Sequence, residues 1–255
     1  MVGTAQSSSG GGMTRRVLLT VGGLTLLGIG LPGQAQRPAA SAARRDPRPS
    51  ATLTSALIRA PEPPVDFIHH GRKAIALTID DGPSPVYTPQ VLRLLAKYRI
   101  TASFSMIGLE ARTYPRVARE VADAGHVIVN HTWTHPDLAL LSPALVIEQM
   151  DRATEAIHAA TGRTPDLFRA PYGAWSPFIL ERCAQTRMTP LGWSVDPRDW
   201  SRPGVAAIVA NIMDNTRTGS IILEHDGGGD RSETVAALKI VVPRLLAEGY
   251  HFRTP

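Results

Sequence analysis

One cysteine, Cys183, stands in 255 residues, so no disulfide can form within the chain. That scarcity leaves the compartment open, because a large exported domain can hold together through its core alone. In Glu181-Arg-Cys-Ala-Gln185 nothing marks the thiol as activated, and it reads as a small buried side chain rather than a nucleophile. The longest apolar run, Val17 to Leu31, is about 15 residues and falls short of the ~20 that span a bilayer, which argues against a permanent anchor. A basic block is also missing where a nucleic-acid binder would need one. Residues 1–66 hold 7 Lys and Arg against 3 Asp and Glu, whereas residues 67–255 hold 20 against 19. The formal charge of +5 therefore belongs mostly to the N-terminal segment, and nucleic acid is not an expected partner. No internal repeat is evident, and 43% hydrophobic against 19% charged residues is the balance of an ordinary globular chain.

What is present falls into three stretches. Arg15-Arg16, the apolar run and Pro32-Gly-Gln-Ala35 have the order of an export signal: a basic segment, a short hydrophobic one and small residues for cleavage. The paired arginines fit a twin-arginine route, and Met13 is an alternative start. Residues 1–35 are thus expected to be an N-terminal extension and export signal, and residues 36–66, rich in Pro, Ala and Arg, a linker. From 67 to 255 apolar runs of strand length alternate with segments of helical spacing. Strands are expected at Ala74–Ile79, Ala102–Ile107, His126–Val129, Leu167-Phe168, Pro190–Trp193 and Ser220–Leu223. Helices are expected at Tyr87–Tyr98, Pro115–Ala124, Leu145–Thr161 and Val235–Glu248. Such alternation implies an α/β fold with a mostly parallel sheet, open or closed into a barrel.

Polar residues cluster just past these strands: Asp80 and Asp81, His131 and His135, Arg169, Asp196 and Asp199, and His225. In parallel α/β folds the C-terminal strand ends and their loops form the active face. Asp80-Asp81-Gly-Pro83 taken alone is equally a solvated turn or a site, since Asp-Gly and Gly-Pro are turn signals. If a site, its adjacent carboxylates would point to opposite faces of the strand and do different work. His131-Thr-Trp-Thr-His135 spaces two imidazoles by four, which would put them on one face of a helical turn. Two His and one Asp would leave open positions on a divalent ion, as catalytic sites do. His225, where a strand meets Gly227-Gly-Gly229, is a candidate general acid. The other histidines (His69, His70, His126, His158 and His251) read as structural or surface groups.

Thr78-Ile-Asp-Asp-Gly-Pro83, His131-Thr-Trp-Thr-His135, Arg169-Ala-Pro-Tyr172, Asp196-Pro-Arg-Asp-Trp200 and Leu223-Glu-His-Asp226 follow one another in a particular order and spacing. In this the chain resembles the NodB-homology polysaccharide deacetylases, carbohydrate esterase family four, over about Ile68 to Phe252. The resemblance implies a distorted (β/α) barrel holding one divalent metal ion, zinc or else cobalt or another ion. It implies Asp81, His131 and His135 as metal ligands, Asp80 as the base, and the Tyr172 N–H as a donor to the oxyanion. His225 would be the acid, Arg169 and Asp199 would pair with each other and tune Asp80, and Pro171, Tyr172, Trp200 and Leu223 would bind substrate. Ile79 stands where the family usually has Phe, and Val129-Asn130 where Gly-Asn is common. Glu224 occupies a variable position, where a charged carboxylate would favour the protonated form of His225.

The expected activity is metal-dependent removal of acetyl groups from a polysaccharide, an amide hydrolysis on N-acetylglucosamine units of peptidoglycan or chitin-type glycans. O-deacetylation of acetylated xylan and a non-catalytic carbohydrate-binding protein are the alternatives. The expected product is a secreted monomer that meets a membrane only during export.

Overall fold

The computed structural model describes residues 60–255; the expected export signal and most of the expected linker lie outside the described residues. Among the described residues seven strands alternate with seven α-helices, two of which stand between the second and third strands. The strands are β1 (Ala74–Asp80), β2 (Ser103–Met106), β3 (Val127–Asn130), β4 (Leu167–Phe168), β5 (Thr189–Pro190), β6 (Ile221–His225) and β7 (His251–Phe252). The helices are α1 (Thr88–Tyr98), α2 (Gly108–Thr113), α3 (Pro115–Asp123), α4 (Pro143–Thr161), α5 (Pro177–Thr186), α6 (Val205–Asn215) and α7 (Ser232–Ala247).

All strand pairings are parallel, in the order β5-β4-β3-β2-β1-β6, with β7 added to β1. The sheet curls into a half-barrel. Its outer strands β5 and β6 do not pair along their length; beyond β5 the chain reaches β6 through a single bridge, Val195 to Ile222. This is the distorted barrel that the resemblance implies. β1 is buried at every position, as a central strand covered on both faces must be, which explains why its residues before Asp80 are apolar except Thr78.

The helices pack by narrow apolar stripes. In α4 the buried residues Val146, Met150, Ala153, Ile157, Ala160 and Thr161 recur at steps of three and four. The helix opens on Pro143 and stops at Gly162, whose φ of 74° suits the left-handed closing position. α2 lies against α4 through Gly108, where a β-carbon would sit 2.6 Å from the Ala153 backbone. Only glycine permits that approach. The main core lies between the sheet and α1, α3, α6 and α7 and includes Ile79, Phe104, Val195, Ile222 and Leu238.

The strand expectations hold for β1 to β4 within a residue or so, whereas the expected Pro190–Trp193 is a two-residue strand ending at Pro190. Helices α2, α5 and α6 went unforeseen: the first is only six residues long. No helix among the described residues is long and apolar enough to cross a membrane.

Candidate active site

Register brings the candidates together. Asp80 and His225 end neighbouring strands as direct partners. Asp80 also pairs with Ser105, Met106 with Asn130, and Asn130 with Phe168. His131 and Arg169 are the next residues of β3 and β4, so the four strand ends meet on one rim. They surround a cavity of about 610 Å3 lined by Asp80, Asp81, His131, His135, Tyr172, Trp200, Leu223 and His225, together with Ile107, Ala170, Trp193, Asp196 and Gly228. A second cavity of about 400 Å3, beside Arg112, Trp133 and Arg152, contains none of the candidate residues.

Asp81 is not part of β1. Its φ of 72° turns the chain out of the strand, so the expected alternation across the sheet does not apply. Both carboxylates face the same imidazole: His131 Nε2 is 3.7 Å from Asp80 Oδ2 and 3.5 Å from Asp81 Oδ1. His135 Nε2 lies 3.3 Å from the same Asp81 oxygen.

The helical turn expected for the two histidines is absent. Residues 131–135 form a loop in which Thr132 and His135 have φ of 66° and 61°, outside the helical region. Side chains from elsewhere fold it. Buried Asn130 donates to the Met150 carbonyl and to Thr154 and accepts from the Thr132 N–H. Gln149 of α4 accepts from the N–H groups of Trp133 and Thr134, and Thr132 Oγ1 accepts from the His135 N–H. Arg112 and Arg152 stack near the Trp133 ring, 4.6 and 4.4 Å from its centroid. Four residues of spacing thus converge two imidazoles by a braced loop.

Arg169 and Asp199, expected to pair with each other, take different partners. Arg169 is fully buried and donates to Asp80 Oδ1 at 2.7 Å, to Thr78 Oγ1 at 2.8 Å and to the Gly192 carbonyl at 2.7 Å. Asp199 instead accepts from His225: Oδ1 lies 2.7 Å from Nδ1 and Oδ2 takes the His225 N–H at 3.0 Å. Thr234 of α7 adds a bond of 2.6 Å. Asp80 ends β1 and takes Arg169 from beyond β4, whereas Asp199 takes His225 from the end of β6, so the two pairs form separately.

These contacts set the charges. Burial would push the Asp81 carboxyl up, but the imidazoles of His131, His225 and His135 around it hold it well below the usual range. Burial would lower the His225 pKa, yet the hydrogen bond and charge of Asp199, helped by Asp81 and Asp80, raise it to about 9. His225 therefore carries a proton at neutral pH. His135 is lowered, chiefly by burial and then by His131. Asp226, buried and bonded to Thr88, is pushed up to about 7 by burial and by the charges of Asp81 and Asp80.

The three groups Asp81, His131 and His135 suit a divalent cation. Their ligand atoms lie within 4.8 Å of one another. His131 Nδ1 is 2.8 Å from the Arg169 carbonyl and must be its donor, so the Nε2 lone pair faces the carboxylates. Asp81 Oδ1 is buried and meets no hydrogen-bond donor. Lone pairs turned toward an orphaned anionic oxygen call for a positive charge between them.

Tyr172 lines the cavity with a φ of 60°, and the hydrogen bonds of its turn run from the Gly173 and Ala174 N–H groups. Its ring stands edge-on to His135, with centroids 4.7 Å apart. Pro171 is buried beneath it, while Tyr172 and Trp200 are exposed.

Three contributors escaped the sequence reading. Trp193 lines the cavity from the segment after β5; an aromatic residue past a strand end was its only signal. Asn130 braces the histidine loop, as described above. Buried Arg231 donates to the carbonyls of Gly227, Gly228 and Trp200 and so ties the Gly-rich loop to the Trp200 turn. Cys183 is buried with its thiol pushed up to about 12 by burial, in keeping with an unreactive core residue. His126 is also structural: its Nδ1 accepts from the Ala102 N–H.

Residues 68–191 match the family model described as polysaccharide deacetylase. A chitooligosaccharide deacetylase of Sinorhizobium fredii is 42% identical over 195 residues, covering 72% of this chain and 91% of that protein. The chain belongs to the polysaccharide deacetylase family. This deacetylase is also similar to a peptidoglycan-N-acetylglucosamine deacetylase of Bacillus cereus, at 40% identity over 73% of this chain and 88% of the other. Among solved structures, a peptidoglycan N-acetylglucosamine deacetylase superposes with a TM-score of 0.72 at 32% identity, covering 74% of this chain and 89% of that one. The chain is accordingly an enzyme of the polysaccharide-deacetylating class.

Proposed function

We propose that this deacetylase hydrolyses the acetamide of N-acetylglucosamine units in a chito-oligosaccharide or peptidoglycan strand outside the cytoplasm. The observation that carries the proposal is one cavity with an Asp-His-His ligand set, a second carboxylate beside it and a histidine bonded to Asp199 on the adjoining strand end. The names of the relatives support the amide and the amino sugar.

Asp81, His131 and His135 would hold a divalent ion, for which zinc suits two nitrogens and one oxygen. Bound there, such an ion supplies Lewis acidity, acidifying water and polarising the acetyl carbonyl. The chain's own groups do the rest. Asp80, fixed by Arg169, takes the proton of the attacking water. The Tyr172 N–H donates to the oxyanion as the carbonyl becomes tetrahedral. His225 gives its Nε2 proton to the departing nitrogen as the C–N bond breaks, while Asp199 stabilises the charged imidazole from Nδ1. Tyr172, Leu223 and Trp200 line the space that would receive the acetyl group and the sugar, whereas Pro171, expected beside them, is buried and does not line it.

Residues 1–35 would direct export, residues 36–66 would tether, and the catalytic domain would begin at 67; the basic segment and apolar run support this reading. The test is acetate release from chitin oligomers, peptidoglycan and acetylxylan with zinc, cobalt or no metal. Release from the amino-sugar substrates, lost on chelation and restored by metal, is expected. Release from acetylxylan alone would overturn the amide assignment, and no release from any of the three would favour a carbohydrate-binding role.

A further inference from the structure

Glu224 has no part in this chemistry, yet it sits directly before His225. Leu223 and His225 both line the cavity, so strand alternation turns Glu224 to the other face of β6. There its register partner is Ile79, which belongs to the apolar layer between sheet and helices. Glu224 is fully buried, and neither carboxyl oxygen meets a hydrogen-bond donor among the described residues. An ionised carboxylate could not persist unpaired in that layer. The polar group beside it is Asp199, whose Oδ2 takes the N–H of the adjoining residue, His225. Asp199 offers about four lone-pair sites. One takes His225 Nδ1, a second the His225 N–H and a third Thr234 Oγ1, so one is left.

We propose that Glu224 is a neutral carboxylic acid that donates its proton to the remaining lone pair of Asp199, a positioning residue completing a buried chain from His225 through Asp199 to Glu224. Burial, then the negative charges of Asp199 and Asp196, hold the Glu224 carboxyl well above its ordinary range. The carboxyl that could have added charge beside His225 instead supplies a donor. It fixes the Asp199 rotamer and draws charge from it, which keeps His225 from being held too firmly in its protonated form.

The role of His225 rests on the function proposed above, whereas the protonation of Glu224 does not, and the experiment separates them. An infrared difference spectrum of wild type against Glu224→Gln, both metal-loaded, reads the carbonyl band of a protonated carboxylic acid. Its presence in wild type and loss in the variant is expected; no such difference overturns the proposal. With a chitin oligomer as substrate, Glu224→Leu should lower kcat about tenfold with KM within about twofold, the scale of one hydrogen bond to a charged group. Glu224→Gln, which keeps a donor, should stay within about threefold of wild type. Wild-type kcat in Glu224→Leu would overturn the positioning role. If Glu224→Leu does not fold, the infrared band and the Gln variant still decide. Absence of acetate release by wild type would defeat the functional reading and leave the infrared result standing.

Discussion

Replacing Asp80 by Asn separates chemistry from scaffold, because this side chain does two jobs with two oxygens. Oδ1 neutralises Arg169, a fully buried cation, at 2.7 Å; Oδ2 faces the ligand cluster. Asn keeps an oxygen acceptor for Arg169 but deletes the charge and the basic site. Leaving a buried ion without its partner costs about 3–5 kcal/mol. The retained hydrogen bond reduces that, and about 2–3 kcal/mol is expected. At about 2–4 °C per kcal/mol for a domain of this size, Tm should fall by roughly 4–12 °C. Loss of the base should lower kcat by at least about 100-fold on a chitin oligomer at constant metal content. Elemental analysis, thermal denaturation and acetate release measure the three quantities. The double variant Asp80→Asn/Arg169→Met tests the reasoning further, since removing the orphaned cation should recover part of the lost Tm and none of the activity. A fully active Asp80→Asn enzyme would refute the base assignment, and an unchanged Tm would refute the pairing argument.

His131→Ala should lose both bound metal and turnover, measured by metal analysis after dialysis, in contrast to Asp80→Asn; retention of a full metal complement would remove His131 from the ligand set. His126 should make the fold acid-sensitive. Burial lowers its pKa to about 4, whereas an unfolded histidine titrates near 6.5, so between these values the unfolded chain binds the extra proton and stability falls as pH falls. The loss reaches about 3 kcal/mol once pH drops below the folded value, and urea titrations at pH 7 and 4.5 should show a steeper decline for wild type than for His126→Gln. Gly227→Ala should abolish activity and destabilise the protein by several kcal/mol, since its β-carbon would sit 1.9 Å from the Asp81 carbonyl oxygen, too close for either backbone to stay in place. Activity near wild type in that variant would mean that the loop has more room than this geometry allows.

The parallel alternation of strands and helices could be read from the chain because each long element carries its own pattern. β1 is mostly apolar because both its faces are covered, and the stripe of α4 repeats at three and four between Pro143 and Gly162. Of the elements that went unread, α5 and α6 do bury residues at helical steps, whereas the shortest ones have no such pattern. α2 spans six residues and depends on the contact of Gly108 with α4. The two-residue strand β7, and the position of β5, depend on neighbours that supply their hydrogen bonds, which no local window contains.

A similar division runs through the site. Residue types past strand ends were visible, and parallel register explains why they meet: Asp80 and His225 are partners, and His131 and Arg169 follow residues that are paired in turn. Pairing among the charged groups was not visible, because it depends on distances across the rim. An arginine and an aspartate sharing one set of motifs look like natural partners until the geometry gives Arg169 to Asp80 and Asp199 to His225. Spacing also misled at His131 and His135, where an interval of four suggested a helix. The loop converges the imidazoles only because Asn130 and Gln149 satisfy its backbone from β3 and α4. Glu224 is the sharpest case. As a letter beside His225 it promised negative charge, but alternation along β6 places it in the apolar layer, where the cost of burial makes a neutral acid the lower-energy form. The sign of its influence on His225 therefore reverses with the face of the strand it occupies.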